Sequence, residues 1–217
     1  MGWITEEQWE RLQEEARKYY AKDQGSHRWD HVQRVLALAK RLALAEGADL
    51  DVVRVAALFH DIARGEEKES KGKVCHAERG AELTRAILRH LGLPEAFITR
   101  VTEAIASHRF RSSRRPQTLE AKVLFDADKL DALGAVGIGR AFLFAGEVGA
   151  RLHNPEVDLS RTQPYSSEDT AWREFKLKLR KIKDQMLTRE GQRMAQERYK
   201  FMETFFERLN KEVEGKV

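Results

Sequence analysis

Apolar residues recur at helical spacing along nearly the whole chain, and this periodicity constrains the fold more than any other feature. One stripe consists of His31, Val35, Leu38 and Leu42. A period near 3.6 residues is typical of helices that bury one face against a core. Because no convincing run of alternating β-branched residues accompanies it, the sequence predicts an all-α fold.

Capping and turn residues predict where the helices begin and end. Thr5 and Gln8 have the spacing of a capping box that opens a first helix. Its apolar stripe is Trp9, Leu12, Ala16 and Tyr19. Further helices are expected at about 50–61, 77–91, 98–108 and 119–133, whereas the charged, aperiodic segment 64–73 is expected to form an exposed loop able to act as a lid. Residues 134–149 are rich in small side chains, which indicates close helix packing.

Two long helices are expected to close the chain after an irregular stretch at 154–164. The apolar stripe of the first is Trp172, Phe175, Leu179, Ile182 and Met186, and that of the second is Met194, Phe201, Phe205 and Leu209. We therefore predict a single domain over 1–217, with a core at about 20–150 and closing helices at about 165–213 packed on it.

Composition excludes several classes of protein. The 39 Lys and Arg residues exceed the 35 Asp and Glu residues by only +4, too small a surplus to indicate a nucleic-acid partner. A single cysteine, Cys75, excludes an internal disulfide. The charged start does not resemble a signal peptide, and no apolar run is long enough to span a bilayer, so we expect a cytoplasmic protein without membrane contact.

Histidine is the informative residue type, because five of the seven histidines fall among helices that also carry a His-Asp pair and an Asp-rich segment. These are His27, His31, His60, His76 and His108. Taken alone, a histidine on an apolar face is more often a hydrogen-bonded core residue than a metal ligand. Several buried imidazoles and carboxylates are costly together, however, and one shared divalent cation would satisfy them. Imidazole and carboxylate ligands suit Mn, Fe, Co, Ni or Zn, and the lack of cysteine ligands excludes a closed thiolate zinc site.

The arrangement of these residues resembles the HD-domain metal-dependent phosphohydrolases. The matching segments are 29–35 (WDHVQRV), 56–63 (AALFHDIA), 76–81 (HAERGA), 104–108 (AIASH) and 126–134 (DADKLDALG). The resemblance is strong over about 20–150, and the closing helices, with LTREG at 187–191 and RYKFM at 198–202, are similar to the tail of a bacterial branch of the family. It implies an HD-type helical bundle with additional C-terminal helices.

Carried over residue by residue, the family pattern implies a set of metal ligands. They are His31, His60, Asp61 and Asp128. His76 and His108 match positions that hold a second metal in some branches and contact the substrate in others, so one ion is expected and two are allowed. Asp131, three residues after Asp128, is placed to orient Asp128, a metal-bound water or a histidine N–H, with a helix cap or a surface ion pair as the alternative.

The resemblance implies hydrolysis of a phosphate ester or anhydride of a small phosphorylated metabolite, a nucleotide above all, by a metal-activated water. Nucleotidase, nucleotide pyrophosphohydrolase and phosphodiesterase types all remain open. Arg64 and Arg109 are candidates for binding the phosphates, and His27 is a candidate on the substrate side. Glu66 and Glu67 in the candidate lid could transfer a proton, but nothing in their spacing requires it, and ordinary loop charges are the favoured interpretation.

Two other functions remain open at this point. One is a di-iron oxygenase, since some relatives with the HD ligand pattern use two irons, and it requires His76 and His108 as ligands. The other is a nucleotide-binding sensor without turnover. Whether the chain forms a homodimer is also left open.

Overall fold

The computed structural model describes residues 2–20, 29–109 and 114–217, and over these ranges it contains helices and no strand. The α-helices are α1 (Glu6–Tyr20), α2 (Trp29–Glu46), α3 (Leu50–Phe59), α4 (Arg64–Glu69), α5 (His76–His90), α6 (Glu95–Ser107), α7 (Leu119–Leu130), α8 (Gly134–Glu147), α9 (Ala171–Leu177) and α10 (Arg189–Val213). Two 3₁₀ segments span Leu159–Arg161 and Leu179–Gln185. The predicted all-α fold is confirmed.

The chain divides into two compact units, residues 1–128 and 129–217. The single domain over 1–217, with closing helices packed on its core, stays a prediction. None of the helices in the described ranges is long and apolar enough to cross a membrane.

Helix α1 begins with the predicted capping box. Gln8 N–H donates to Thr5 Oγ1 over 3.2 Å, and Thr5 N–H donates to Gln8 Oε1 over 2.9 Å. The last member of its buried stripe is Tyr20, whose hydroxyl donates to the Leu58 carbonyl, so the expectation of Tyr19 was wrong by one residue. That hydrogen bond satisfies the phenol inside the core, which explains why the chain buries Tyr20.

Helix α3 is the centre of the first unit, in contact with α1, α2, α5 and α6. Asp49 caps its first turn by accepting from the N–H groups of Asp51 and Val52. From Val52 to Phe59 every residue except Arg54 is fully buried, so the helix delivers the next two residues, His60 and Asp61, into the core. Helix α5 packs directly against this turn, since a Cβ at Gly80 would lie in ordinary van der Waals contact with the His60 carbonyl, at 3.6 Å.

The segment 64–73 is not the exposed loop that its charge pattern predicts, because its first six residues form α4. Arg64 and Glu67 are one turn apart on this short helix, and Arg64 Nη1 donates to Glu67 Oε2 over 2.9 Å. Pairing at this spacing stabilises a helical turn. The helix was not predicted because the segment has no apolar residues at helical spacing. The helix ends before Lys71 and Gly72, which both have positive φ.

The second unit corrects the predicted closing helices. A single helix was expected through Met186, but α9 stops at Leu177 and the chain continues as a 3₁₀ segment that buries Leu179 and Ile182. Their spacing of three residues suits a 3₁₀ helix, in which residues i and i+3 lie above one another.

Helix α10 buries a different side from the one predicted. Met194 is buried as expected. Met202 and Phe206 are buried in place of the predicted Phe201 and Phe205, and Phe201 is 53% exposed. Phe206 stacks on the Phe175 ring with centroids 4.6 Å apart, and this aromatic contact fixes the rotation of the helix.

One close approach among residues 134–149 is at Gly137 in α8, and it is to the turn that precedes this helix and not to a second helix. A Cβ at this position would lie 2.2 Å from the Ala132 carbonyl oxygen, whereas a Cβ at Gly139 of the same helix would have nothing within 4 Å. We expect Gly137→Ala to lower the free energy of unfolding by about 1–3 kcal/mol through overpacking. Gly139→Ala should raise it by up to about 1 kcal/mol, since alanine favours a helix interior. Urea unfolding followed by circular dichroism measures both, and equal effects would contradict the assignment of Gly137 to a close contact.

Candidate metal centre

Six side chains of the first unit converge in its core. Each comes from the first or last turn of a helix or from the residues directly after a helix. They are His31 (α2), His60 and Asp61 (after α3), His76 (α5), His108 (after α6) and Asp128 (α7). Their ligand atoms form two triads, and within each triad all lie within 4.8 Å of one another. The triads are His31, His60 and Asp128, and Asp61, His76 and His108.

The first triad brings two imidazoles and a carboxylate together. His31 Nε2 lies 3.3 Å from His60 Nε2 and 3.6 Å from Asp128 Oδ1. Both imidazoles are fully buried, while the Asp128 side chain is 11% exposed. The predicted ligands His31, His60 and Asp128 are thus neighbours.

Asp61 belongs to the second triad and also faces the first, with a different oxygen toward each. Its Oδ2 is 3.7 Å from His31 Nε2 and 3.6 Å from His60 Nε2. Its Oδ1 is 3.6 Å from His76 Nε2 and 3.5 Å from His108 Nε2. One fully buried carboxylate therefore has four imidazole nitrogens around it, two on each oxygen.

Backbone carbonyls fix two of the imidazole rings. Nδ1 of His60 lies 2.8 Å from the Ala57 carbonyl, and Nδ1 of His108 lies 2.6 Å from the Ile105 carbonyl. Each carbonyl belongs to the residue three positions earlier, in the last turn of a helix. A proton on Nδ1 leaves Nε2 with a lone pair directed at Asp61 and its neighbours, which is the tautomer that a metal ligand needs.

Burial keeps the imidazoles of His60 and His76 neutral near pH 7. It lowers the pKa of His60 to about 3, against the opposing effect of Asp61, and lowers the pKa of His76 to about 4. Neutral imidazole is the form that binds a cation, so proton competition is weak near neutral pH.

The donor set fits a divalent cation. Nε2 of His76 and Nε2 of His108 are buried, and neither has a hydrogen-bond partner in the part of the chain that the structure describes. A buried polar atom without a partner is destabilising, and a cation shared with Asp61 would satisfy both nitrogens. Imidazole and carboxylate donors suit Mn, Fe, Co, Ni or Zn.

A group of charged side chains surrounds the second triad. Arg64 Nε donates to Asp61 Oδ1 over 2.9 Å, and its Nη1 donates to Glu67. Arg109 Nη2 forms an ion pair with Glu67 Oε1 over 3.0 Å. The neutral His76 ring places Nδ1 3.0 Å from Glu67 Oε2. Both arginines predicted from the sequence are therefore near the centre. Glu67 was interpreted as a loop charge from the sequence. Its spacing of three residues from Arg64 is the signal that could have indicated a paired residue on a helix.

Two further residues were predicted from the sequence, His27 and Asp131. His27 lies outside the described residues. Asp131 belongs to the second unit, is buried and accepts from Arg140 Nη1 over 2.7 Å. Its role in orienting Asp128, a water or a histidine stays a prediction.

The family model of the HD domain matches residues 28–133. The uncharacterized protein YpgQ of Bacillus subtilis (strain 168) is 34% identical over 197 residues, which cover 89% of this chain and 87% of YpgQ.

Two crystal structures illustrate the structural similarity. Bacillus subtilis YpgQ in complex with ADP matches with a TM-score of 0.74 and 29% identity, over 95% of each chain. An HD-superfamily hydrolase from Bacillus thuringiensis matches with a TM-score of 0.75 and 30% identity, over 96% of this chain and 98% of that one.

The buried histidines predict how stability depends on pH in protein stripped of divalent cations. The pKa values of His60 and His76 are about 3 and about 4 in the folded chain, against an ordinary 6.5. As pH falls below 6.5 the unfolded chain takes up protons that the folded chain does not. The free energy of unfolding should therefore fall by on the order of 1 kcal/mol per pH unit for each histidine.

Urea midpoints measured between about pH 7 and about pH 5 give this slope. This pH interval lies above the pKa values of ordinary carboxylates, so their titration contributes little to it. His90→Gln is the matched control because His90 is exposed. It should keep the slope, and a midpoint that stays constant over this range in the stripped protein would contradict the burial of neutral imidazoles.

Proposed function

Because this chain belongs to the HD-domain family, we propose that it is a metal-dependent phosphohydrolase that cleaves a phosphate ester or anhydride of a nucleotide. The observation that carries the proposal is the buried Asp61 carboxylate with two imidazole nitrogens facing each of its oxygens. The nucleotide class is supported by ADP in the crystal structure of the similar protein YpgQ.

The ligand set proposed for the first cation is His31, His60, Asp61 and Asp128. His76 and His108 complete a second position with the other oxygen of Asp61. A bound divalent cation of the Mn, Fe, Co, Ni or Zn type lowers the pKa of a coordinated water and offsets charge on phosphoryl oxygens.

The protein side chains supply binding and orientation. A guanidinium has five N–H donors, and Arg64 uses two of them on Asp61 and Glu67, so it keeps donors for phosphoryl oxygens. Carboxylates around it outweigh the effect of burial and raise the pKa of Arg64, which keeps it charged. Arg109, beside Glu67 on the same side of the second triad, is the other proposed phosphate ligand.

A di-iron oxygenase is the second candidate, and one observation favours it. The triad of Asp61, His76 and His108 supplies the second ligand group that such a centre requires. The arginines beside that triad favour the hydrolase, because a phosphorylated substrate needs cationic partners. A nucleotide-binding sensor, the third candidate, would bind the nucleotide but would not hydrolyse it.

Cation-dependent turnover is the first prediction from this proposal. After removal of metal, phosphate and pyrophosphate release should be measured from a panel of nucleoside mono-, di- and triphosphates, with Mn²⁺, Co²⁺, Ni²⁺, Zn²⁺ or Mg²⁺ added back. We expect turnover with at least one transition-metal ion and none without. Absence of turnover with every ion, together with iron retained through purification and an iron absorption spectrum, would favour the oxygenase instead.

Asp128→Asn tests the ligand set with little change in shape. Replacing an anionic ligand by an amide should lower kcat/KM by roughly 100-fold or more, since the cation loses both charge and a donor. Asp30→Asn is the matched control, because Asp30 is an exposed residue of α2 that pairs with Arg34 on the surface. Unchanged activity in Asp128→Asn would remove Asp128 from the ligand set.

A further inference from the structure

The carboxylate of Glu67, beside the candidate metal centre, contacts a histidine and two arginines. Its side chain is 14% exposed, and its Oε2 lies 2.9 Å from Arg64 Nη1 and 3.0 Å from His76 Nδ1. Its Oε1 lies 3.0 Å from Arg109 Nη2. Three positively polarised groups from three different elements are thus held by one anion on α4.

His76 needs such a partner because of its place in the fold. His60 and His108 follow helix ends, and the carbonyl three residues earlier fixes Nδ1 of each ring. His76 is the first residue of α5, so no preceding turn of its own helix offers a carbonyl. The nearby Glu67 carboxylate favours a proton on Nδ1 and leaves Nε2 for the second position beside Asp61.

The same carboxylate contacts both arginines and lies between them. Arg64 contacts one oxygen of Glu67 and Arg109 contacts the other. Arg64 also donates to Asp61, so a continuous chain of contacts joins Glu67 to the shared carboxylate of the centre. A displacement of Glu67 would therefore change the second cation position and both candidate phosphate ligands together.

We propose that Glu67 is a positioning residue that orients His76 for a second divalent cation and holds Arg64 and Arg109 toward the phosphates of the substrate. The part that concerns the arginines rests on the proposed phosphohydrolase function. The part that concerns His76 does not, since it predicts cation binding by the protein whether or not a nucleotide is cleaved.

Glu67→Gln tests the proposal, and Glu66→Gln is its matched control. Glutamine keeps one acceptor oxygen but presents an NH₂ group to a donor, so it cannot serve the histidine and both arginines. Glu66 is the preceding residue of the same helix and pairs with Arg79 at the surface, where such pairs contribute little. Circular dichroism checks that both variants keep the helical content of the wild type.

Calorimetric titration of the stripped, full-length protein with Mn²⁺ is the first readout. The wild type and Glu66→Gln should show two binding events. In Glu67→Gln the weaker event should lose roughly 10–100-fold in affinity, the range typical for removing a carboxylate behind a histidine ligand, and the tighter event should stay within about twofold. A single event in the wild type, or equal affinities in the two variants, would overturn the proposal.

Steady-state kinetics on the nucleotide that the wild type cleaves best is the second readout. Glu67→Gln should raise KM by roughly tenfold or more, because both arginines lose their partner, and Glu67→Asp should recover part of the loss by restoring a carboxylate. If Glu67→Gln fails to fold, Glu67→Asp carries both tests, and values equal to those of the wild type in both would overturn the proposal. Because the titration needs no turnover, failure of the hydrolase activity and failure of this inference are distinguishable.

Discussion

The buried carboxylate of Asp61 is the constraint around which the first unit is organised. A carboxylate with no exposed surface is strongly destabilising unless charge and hydrogen bonds compensate it. Here the Arg64 guanidinium donates to one oxygen, and four imidazole nitrogens surround the two oxygens at 3.5–3.7 Å. Burial keeps His60 and His76 neutral, and a neutral imidazole compensates an anion poorly, so a divalent cation shared with Asp61 is the arrangement that the donors fit best.

Helix ends and the turns beside them make this arrangement possible. The apolar run of α3 is buried almost without interruption and carries His60 and Asp61 into the core. The carbonyls at the ends of α3 and α6 orient His60 and His108, whereas His76, at the start of α5, depends on a side chain of α4. Backbone carbonyls, which no substitution removes, thus orient two of the histidines, whereas the side chains of Arg64 and Glu67 contact Asp61 and His76.

Local periodicity in the sequence was sufficient to predict several features of the structure. The burial of His31 and His108, the capping box at Thr5 and the all-α fold all came from apolar spacing and helix signals. The features that it missed depend on tertiary contacts. Helix α4 has no apolar face, and its Arg64 and Glu67 are ordered by ion pairs with residues from other elements. The choice of Phe206 over Phe205 in α10 likewise depends on the Phe175 ring that it meets.

The most direct test of the shared carboxylate is Mn²⁺ binding by Asp61→Asn compared with the wild type, in protein stripped of divalent cations. Asparagine keeps the shape of the side chain and removes the charge that both triads face. If Asp61 is shared, the substitution should weaken every Mn²⁺ binding event that the wild type shows, while circular dichroism stays unchanged. Binding that remains as tight as in the wild type would contradict the assignment of Asp61 to the centre.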